Sequence, residues 1–534
     1  VSLERNCMTA AIKTKVKEMK LQKYELEKVL SDRFSLSRFR QGQFEIISEI
    51  LQKKDVLAVL PTGGGKSLCY QLPAIVSNKL VLVISPLIAL MRDQVASLKK
   101  LGIPAGALHS NQSEDEKRAI FQEMNKGEAF VLYISPERAS KEGFHKWIQG
   151  RDLAMFAIDE AHCVSQWGHD FREEYAQLDV LKKMRPEVPM LALTASATPT
   201  VLQDVAKQLG LKSPQKMVHG FYRPNLYYQV EACVDDDAKL AFVRQALQQT
   251  PDGRVIIYCG TRKVTEELAR VLAQSSDKVG FYHAGLPGDE RTKTQEAYAR
   301  GDLRVLVATN AFGMGIDQPD VRLVIHYQMP GNIDSLYQEM GRAGRDGKDS
   351  TCLMLYSKRD KGLQSFFIES SEAPEAIKSA RWRNLDMLVN YAEGGECRHA
   401  EILTYYKDAQ RINRCGHCDS CLPVSQRRVV VVESKKSTES KAPKFKTRKA
   451  SSNRGVVVEL DLNEEQELRF QSLRQWRRQK SQELDCAAFV IFTDKTLKQL
   501  ALKNPRSLDE LRKIPGIGET KLEKFGWDLL AIST

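Results

Sequence analysis

The run Leu60-Pro61-Thr62-Gly63-Gly64-Gly65-Lys66-Ser67 has the residue types needed to hold a phosphate chain. Consecutive glycines let backbone N–H groups converge on phosphate oxygens with no Cβ in the way. Lys66 would reach the outer phosphates, and the Ser67 hydroxyl would ligate Mg²⁺. The competing reading is a glycine-rich turn with a chance Lys-Ser. Context favours the first reading. The apolar run Asp55 to Leu60 reads as a buried strand, and Leu68 to Leu72 as a helix start. Strand, glycine loop and helix is the setting a phosphate loop requires, and the helix N-terminus adds partial positive charge. The strict pattern begins with glycine, and Leu60 stands there instead.

Three further groups could complete such a site. Asp159-Glu160-Ala161-His162 follows the apolar strand Met155 to Ile158. At a strand end Asp159 can hold Mg²⁺ through water and Glu160 can polarise an attacking water. Gln338 to Asp346 carries Arg342 and Arg345, three apart and so on one helix face. Solvated salt bridging is the bland reading. A phosphate site with no arginine nearby nevertheless needs a cation supplied in trans, and guanidinium suits that. Finally, Gln43 has a donor and an acceptor side by side, which match N6 and N7 of adenine. Alone, Gln43 reads equally well as an exposed helix residue.

The elements that must position these groups alternate. Apolar strands at Leu80–Ile84, Phe130–Ile134, Met155–Ile158 and Met190–Leu193 are separated by amphipathic helices up to about residue 210. A second alternating unit runs from about 238 to 356, with strands at Arg254–Tyr258, Val279–Tyr282, Val305–Ala308 and Val321–Ile325, and has no phosphate loop of its own. Strands apolar throughout imply burial on both faces and parallel sheets. A triphosphate would then sit between two lobes, and its hydrolysis would move them.

The 534 residues fit three or four domains. A net charge of +12 and a pI near 9.0 favour a polyanionic partner, without separating nucleic acid from an acidic membrane. No apolar run approaches the roughly 18–20 residues needed to span a bilayer, and no secretory apolar region opens the chain. Of the eleven cysteines, Cys69, Cys233, Cys259, Cys352 and Cys486 sit singly in apolar segments, as buried hydrophobes do. Cys397, Cys415, Cys418 and Cys421 are different: two C-x2-C steps let short loops place sulfurs on a tetrahedron around Zn²⁺. A redox disulfide set is the alternative. His417, inside one step, either competes as a ligand or faces solvent.

These residues together carry a resemblance to the RecQ family of DNA helicases, in helicase superfamily 2. It rests on Phe39 to Gln43, Thr62 to Ser67, Ser85 to Leu90, Asp159 to His162, Ala308 to Asp317, Gln338 to Asp346 and above all the aromatic-rich stretch Ala161 to Arg172. The resemblance implies two tandem RecA-like parallel-sheet lobes, a helical zinc-binding module and a small all-α HRDC bundle. It implies ATP, Mg²⁺ and Zn²⁺ as cofactors. Lys66, Asp159, Glu160, Arg342 and Arg345 would carry hydrolysis, with Arg345 as the arginine finger, although the two arginines could exchange roles. Arg40, Gln43, Thr62, Gly63, Gly64, Gly65, Lys66, Ser67, Gly315 and Asp317 would hold the nucleotide. Ser67 and Asp159 would hold Mg²⁺, and the four cysteines zinc. Arg92, Gln94, Gln166, Trp167, His169, Phe171, Arg172, Thr194, Ser196, Thr309 and Asn310 would bind DNA or couple it to hydrolysis. Stacking faces at Trp167 and Phe171 beside Arg172 suit sequence-independent single-strand binding; Trp167 as a core anchor is the alternative.

The expected division is a basic helical extension over 1–30, lobe one over 31–210, lobe two over 211–356, a helical hairpin and zinc module over 357–423, a basic flexible linker over 424–462 and an HRDC domain over 463–534. Family members usually place a winged helix after the zinc module, and the short Lys/Arg/Ser-rich linker cannot hold one. That linker either grips duplex phosphates or is a solvated tether. In the last domain Ile514-Pro-Gly-Ile-Gly518 is either a phosphate-binding turn or a structural one. The expected activity is ATP-dependent 3′-to-5′ unwinding of DNA in repair and recombination. The alternatives are an ATP-gated annealing or remodelling protein and an RNA-directed ATPase. Single-stranded and tailed duplex DNA, single-strand-binding protein or other repair factors, no membrane, a monomeric state and, for a bacterial source, a cytoplasmic, nucleoid-associated location complete the expectations.

Overall fold

The structure is a computed structural model and describes residues 22–109, 112–168, 171–276, 278–313, 318–431, 462–484 and 486–533. The first sheet has strands β1 (Val56–Val59), β2 (Leu80–Ile84), β3 (Ala105–Leu108), β4 (Phe130–Ile134), β5 (Leu153–Ile158), β6 (Met190–Thr194) and β7 (Gln215–Val218). Their order is β3-β4-β2-β5-β6-β1-β7, and every pairing is parallel. Most strand residues are fully buried, as continuous Val/Ile/Leu runs require when helices cover both faces. The order β5-β6-β1 puts three strand ends side by side: Asp159 after β5, Thr194 at the end of β6 and Pro61 after β1. The Leu60 N–H donates to the Thr194 carbonyl at 3.1 Å and ties two of them together.

Two expected boundaries move. The helix over residues 22–34 buries Leu26, Leu30 and Phe34 in the first lobe's core beside Phe44 and Ile47, so this part of the extension belongs to the lobe. Residues 1–21 lie outside the described residues. The first lobe also runs beyond 210, because β7 pairs with β1 from Val56↔Gln215 to Val59↔Val218.

The second sheet contains β8 (Leu226–Ala232), β9 (Arg254–Tyr258), β10 (Val279–Tyr282), β11 (Val305–Ala308), β12 (Val321–His326) and β13 (Ser350–Tyr356) in the order β10-β11-β9-β12-β13-β8, again all parallel. Helices Lys358–Glu369, Glu375–Glu393 and Arg398–Tyr405 follow. They are fixed to the lobe by buried charge: Lys239 Nζ donates to both Asp360 oxygens, at 2.9 and 2.7 Å, and to the Tyr327 carbonyl at 2.8 Å. Arg398 pairs with Asp419, which also accepts from the Val230 N–H of β8 at 3.0 Å.

Residues 219–225 join the lobes. Phe221 stacks on Tyr406 of the third module at 4.1 Å and packs on Tyr337 of lobe two at 5.0 Å, while its N–H donates to Asp408 at 2.8 Å. The start of the expected linker is anchored: the Gln229 side chain exchanges two hydrogen bonds with the Val429 backbone, and Val429 is buried. The remainder of that linker, 432–461, lies outside the described residues.

The last region packs helices Glu464–Glu483, Ala488–Ile491, Asp494–Lys503, Leu508–Arg512 and Glu519–Ser533 around Phe470, Leu473, Trp476, Leu497 and Leu500. It docks on the third module. Buried Arg477 donates to Glu396 and Asp494 at 2.8 and 2.6 Å, and Glu401 accepts from the Ala488 and Phe489 N–H groups at 3.2 Å each. Its Pro515-Gly516 turn packs closely on Thr496, and Gly516 has φ +96°, so glycine is structurally required at that position. Among the described residues no helix is long and apolar enough to cross a membrane, and no disulfide links the described cysteines.

Candidate nucleotide cleft, strand-binding loop and metal centre

The phosphate loop leaves β1 and enters the helix Leu68–Ser77. Gly63 and Gly65 have φ of +78° and +77°, which a Cβ would strain. Among the described residues the N–H groups of Gly65, Lys66 and Ser67 have no backbone acceptor. The loop's carbonyls are engaged. Arg40 donates to Gly63 O, and Gln43 Nε2 donates to Gly64 O and Gly65 O at 3.2 and 2.9 Å. Gln43 Oε1 accepts from the Arg40 N–H at 2.8 Å. Both ends of this buried amide (2% exposed) are therefore occupied. Gln43 braces the phosphate loop here, and to read adenine it would have to release one of these bonds.

Lobe two meets this loop. Arg345 lies against Gly63, its Cγ 3.3 Å from where a Cβ on that glycine would stand. Arg342 is placed differently. It is buried and donates to Gly313 O inside lobe two, so the two arginines of the motif do not share one task. The sequence reading missed Arg223. From the joining segment it donates to Thr62 O of the phosphate loop at 3.2 Å, and to Ala343 O and Gly344 O of the arginine-bearing loop at 3.0 Å each. Its one sequence signal is the following Pro224, which disfavours helix and holds Arg223 in an extended segment.

Behind the loop Asp159 is buried, and burial followed by the neighbouring Glu160 pushes its carboxyl up to about 7, with Lys66 opposing only in part. Two adjacent acids with incomplete positive compensation are a site that fits a divalent cation. Glu160 has φ +48°, an uncommon conformation for a residue with a Cβ, where it opens the turn Ala161–Val164. His162 Nδ1 lies 3.3 Å from Glu160 Oε2 and 2.9 Å from Thr194 Oγ1. Thr194 donates to Ser196 O at 3.1 Å, and Ser196 Oγ accepts from Gln338 Nε2 of lobe two at 2.9 Å. A continuous polar run thus joins the acid pair to the helix Ile333–Met340 of lobe two, which ends before Arg342 and Arg345, so the two arginines stand on a loop and not on one helix face as expected.

The aromatic-rich loop begins in the same turn. Trp167 and Phe171 are exposed (41% and 37%), so Trp167 is no core anchor. The loop is tied back rigidly: the Trp167 N–H donates to Ser165 Oγ at 3.2 Å, Ser165 Oγ to Asp204 at 2.6 Å, and the Arg172 N–H to Cys163 O at 2.9 Å. The Arg172 side chain donates to Pro86 O at 3.2 Å. Gln166, Arg92 and Asn310 are exposed and Thr309 is half-buried at the end of β11. Thr194 and Ser196 are buried in the polar run, on the coupling side of their expected role. Gln94 Oε1 accepts from Gln71 at 2.9 Å, within lobe one. His169, Gly315 and Asp317 lie outside the described residues.

The sulfurs of Cys397, Cys415, Cys418 and Cys421 all lie within 4.8 Å of one another. The Cys415 and His417 N–H groups donate to Cys397 and Cys415 sulfurs at 3.2 and 3.4 Å. Four converging thiols with backbone donors suit zinc thiolates.

Two parallel-sheet lobes with a phosphate loop in one, an arginine motif from the other and a cleft between them define a nucleoside-triphosphate-driven helicase motor. Family models match along the chain: DEAD/DEAH box helicase over 40–205, helicase conserved C-terminal domain over 238–347, RecQ zinc-binding over 358–422 and HRDC domain over 466–532. The ATP-dependent DNA helicase RecQ of Bacillus subtilis (strain 168) is 33% identical over 579 aligned positions, covering 94% of this chain and 97% of that one. RecQ of Haemophilus influenzae is 40% identical over 395, covering 74% of this chain and 63% of its own length. The RecQ-like DNA helicase BLM of Xenopus laevis is 39% identical over 414, covering 74% and 30%. The DUF1998 helicase MrfA bound to DNA and AMPPNP shares the fold, with TM-score 0.52, 20% identity and coverage of 69% of this chain and 56% of that one. The chain belongs to the RecQ family of ATP-dependent DNA helicases.

Proposed function

We propose that this chain hydrolyses ATP in response to single-stranded DNA, moves 3′ to 5′ along it and separates duplexes in DNA repair and recombination. The observation that carries the reading is one turn, Ala161–Val164, whose His162 lies against Glu160 of the acid pair and whose Cys163 carbonyl accepts from the Arg172 N–H that closes the exposed Trp167 loop. Lys66 and the loop N–H groups would hold the phosphates, Glu160 would orient the attacking water, and Arg345 would face the γ-phosphate from lobe two. Mg²⁺, held by Ser67 and Asp159, would neutralise phosphate charge. Bases stacking on Trp167 and Phe171 would bear on the turn that carries His162. The polar run to Gln338 would then close the lobes, and each cycle would advance the strand.

A second reading, ATP-gated annealing or remodelling without strand separation, follows from the lack of a matching winged-helix module between the zinc-binding and HRDC matches. Unwinding of 3′-tailed and 5′-tailed DNA duplexes beside an RNA duplex, with ATPase recorded for each, separates the readings. Unwinding confined to the 3′-tailed DNA supports the first. DNA-stimulated turnover without unwinding of any duplex supports the second, and RNA-driven turnover excludes both.

A further inference from the structure

A second group of ligand-forming side chains converges beside the four cysteines. Donor atoms of His399, Cys415 and His417 lie within 4.8 Å of one another. His399, on the helix Arg398–Tyr405, is 1% exposed and stacks on Tyr228 at 4.1 Å. His417 occupies the loop between Cys415 and Cys418, and the two imidazole centroids are 4.8 Å apart.

The hydrogen bonds fix what these rings can do. A carbonyl oxygen only accepts, so His399 Nε2 carries the hydrogen it shares with Leu226 O at 3.0 Å. By the same logic His417 Nδ1 carries the hydrogen shared with Cys415 O at 2.8 Å. In each neutral ring the other nitrogen is then a lone pair. Those two atoms, His399 Nδ1 and His417 Nε2, are buried and have no hydrogen-bond partner among the described residues. Buried polar atoms left unpaired call for a ligand. An imidazole anchored through one nitrogen to a backbone carbonyl, with the other nitrogen open, is the form in which histidine binds a metal.

Charge points the same way. Four thiolates around one divalent cation leave a double negative charge, which neutral imidazoles do not change. A second divalent cation beside Cys415 would cancel it. Imidazole and thiolate together select an ion of borderline softness, such as Zn²⁺ or Co²⁺.

We infer that His399, His417 and the Cys415 sulfur form a second cation site for a divalent ion of the zinc class, sharing the Cys415 thiolate with the four-cysteine centre. Ligand atoms around tetrahedral zinc stand about 3.5 Å apart, so the short loop bearing His417 closes inward on binding. Tyr222, in the segment joining the lobes, lies 5.4 Å from the His399 ring and 6.2 Å from the His417 ring, and so lines the site.

The inference rests on the four-cysteine zinc reading, and the test separates the two. The full chain is saturated with Zn²⁺, freed of excess by gel filtration, and its metal is counted by elemental analysis and native mass spectrometry. A parallel titration with Co²⁺ follows the sulfur-to-cobalt absorption. The unaltered chain is expected to hold two ions, the second equivalent of Co²⁺ shifting the sulfur band as Cys415 becomes a bridge. His417→Ala is expected to hold one and to show no second shift. His399→Gln, which keeps the bulk and the donor to Leu226 O, is expected to do the same. One ion per unaltered chain, or a second equivalent kept by both variants, overturns the second site. A chain holding no ion removes the four-cysteine centre as well.

Discussion

Arg223 bridges the cleft with a single side chain, so its loss should be felt in turnover before it is felt in nucleotide binding. Two of its three hydrogen bonds stay with the arginine-bearing loop, at Ala343 O and Gly344 O, and one crosses to Thr62 O at 3.2 Å. A hydrogen bond from a charged donor contributes about 1.5–3 kcal/mol. Arg223 is half-buried and the crossing bond is long, which places it at the lower end. About 1.5 kcal/mol corresponds to roughly tenfold in the population of closed lobes. If only the closed cleft hydrolyses, Arg223→Ala lowers kcat about tenfold. Misplacement of Arg345 through the two lost lobe-two bonds could raise that toward a hundredfold, about 2.8 kcal/mol. KM for ATP should change by less than about twofold, because Arg223 donates to loop carbonyls and leaves the loop N–H groups untouched. Arg223→Lys reaches one carbonyl at a time and should fall between. The assay is steady-state ATPase at saturating oligothymidylate, beside a thermal melt. An alanine variant with near-normal kcat, or with raised KM and normal kcat, refutes the bridge.

Other outcomes follow from the same contacts. Trp167→Ala should raise the oligonucleotide concentration giving half-maximal ATPase stimulation by about 5–150-fold, the equivalent of one stacked base at about 1–3 kcal/mol; an unchanged value argues against stacking there. Glu401→Ala orphans two buried N–H groups, at a cost of about 1–3 kcal/mol each, and should speed amide exchange at Ala488 and Phe489 as the last bundle lifts off. Exchange at the normal rate would mean that Glu401 does not hold it. Lys239→Met leaves the buried Asp360 without a cationic partner and with only Ser357 as a hydrogen-bond donor, which costs about 3–5 kcal/mol and should lower the melting temperature. Adding Asp360→Leu should restore most of that loss, and a single variant as stable as the parent would contradict the pairing.

What the sequence disclosed and what it hid divide along physical lines. Strands such as Leu80–Ile84 and Phe130–Ile134 are apolar from end to end because both faces are covered, so their place was legible. The phosphate loop was legible because glycines, lysine and serine must be contiguous to do their work. β7 was not, since Gln215-Lys216-Met217-Val218 carries the polar composition of an edge strand. The bracing by Gln43 was not legible because an amide with paired donor and acceptor serves a backbone carbonyl as well as a base. Arg223 and the docking of the last bundle were invisible for a different reason. They depend on which carbonyls and carboxylates meet after folding, and residues such as Glu401 and Phe489 lie far apart in the chain.

The lateness of β7 has a consequence for any shortened version of this molecule. The strand that feeds the phosphate loop has neighbours on both flanks, and one of them is supplied only after residue 214. A fragment ending near 210 would leave the fully apolar Val56-Leu57-Ala58-Val59 with a bare flank of open N–H and C=O groups, a template for adding strands from other copies. Fragments meant to stay dispersed in water should therefore extend through Val218, whose strand shields that flank with an outward lysine.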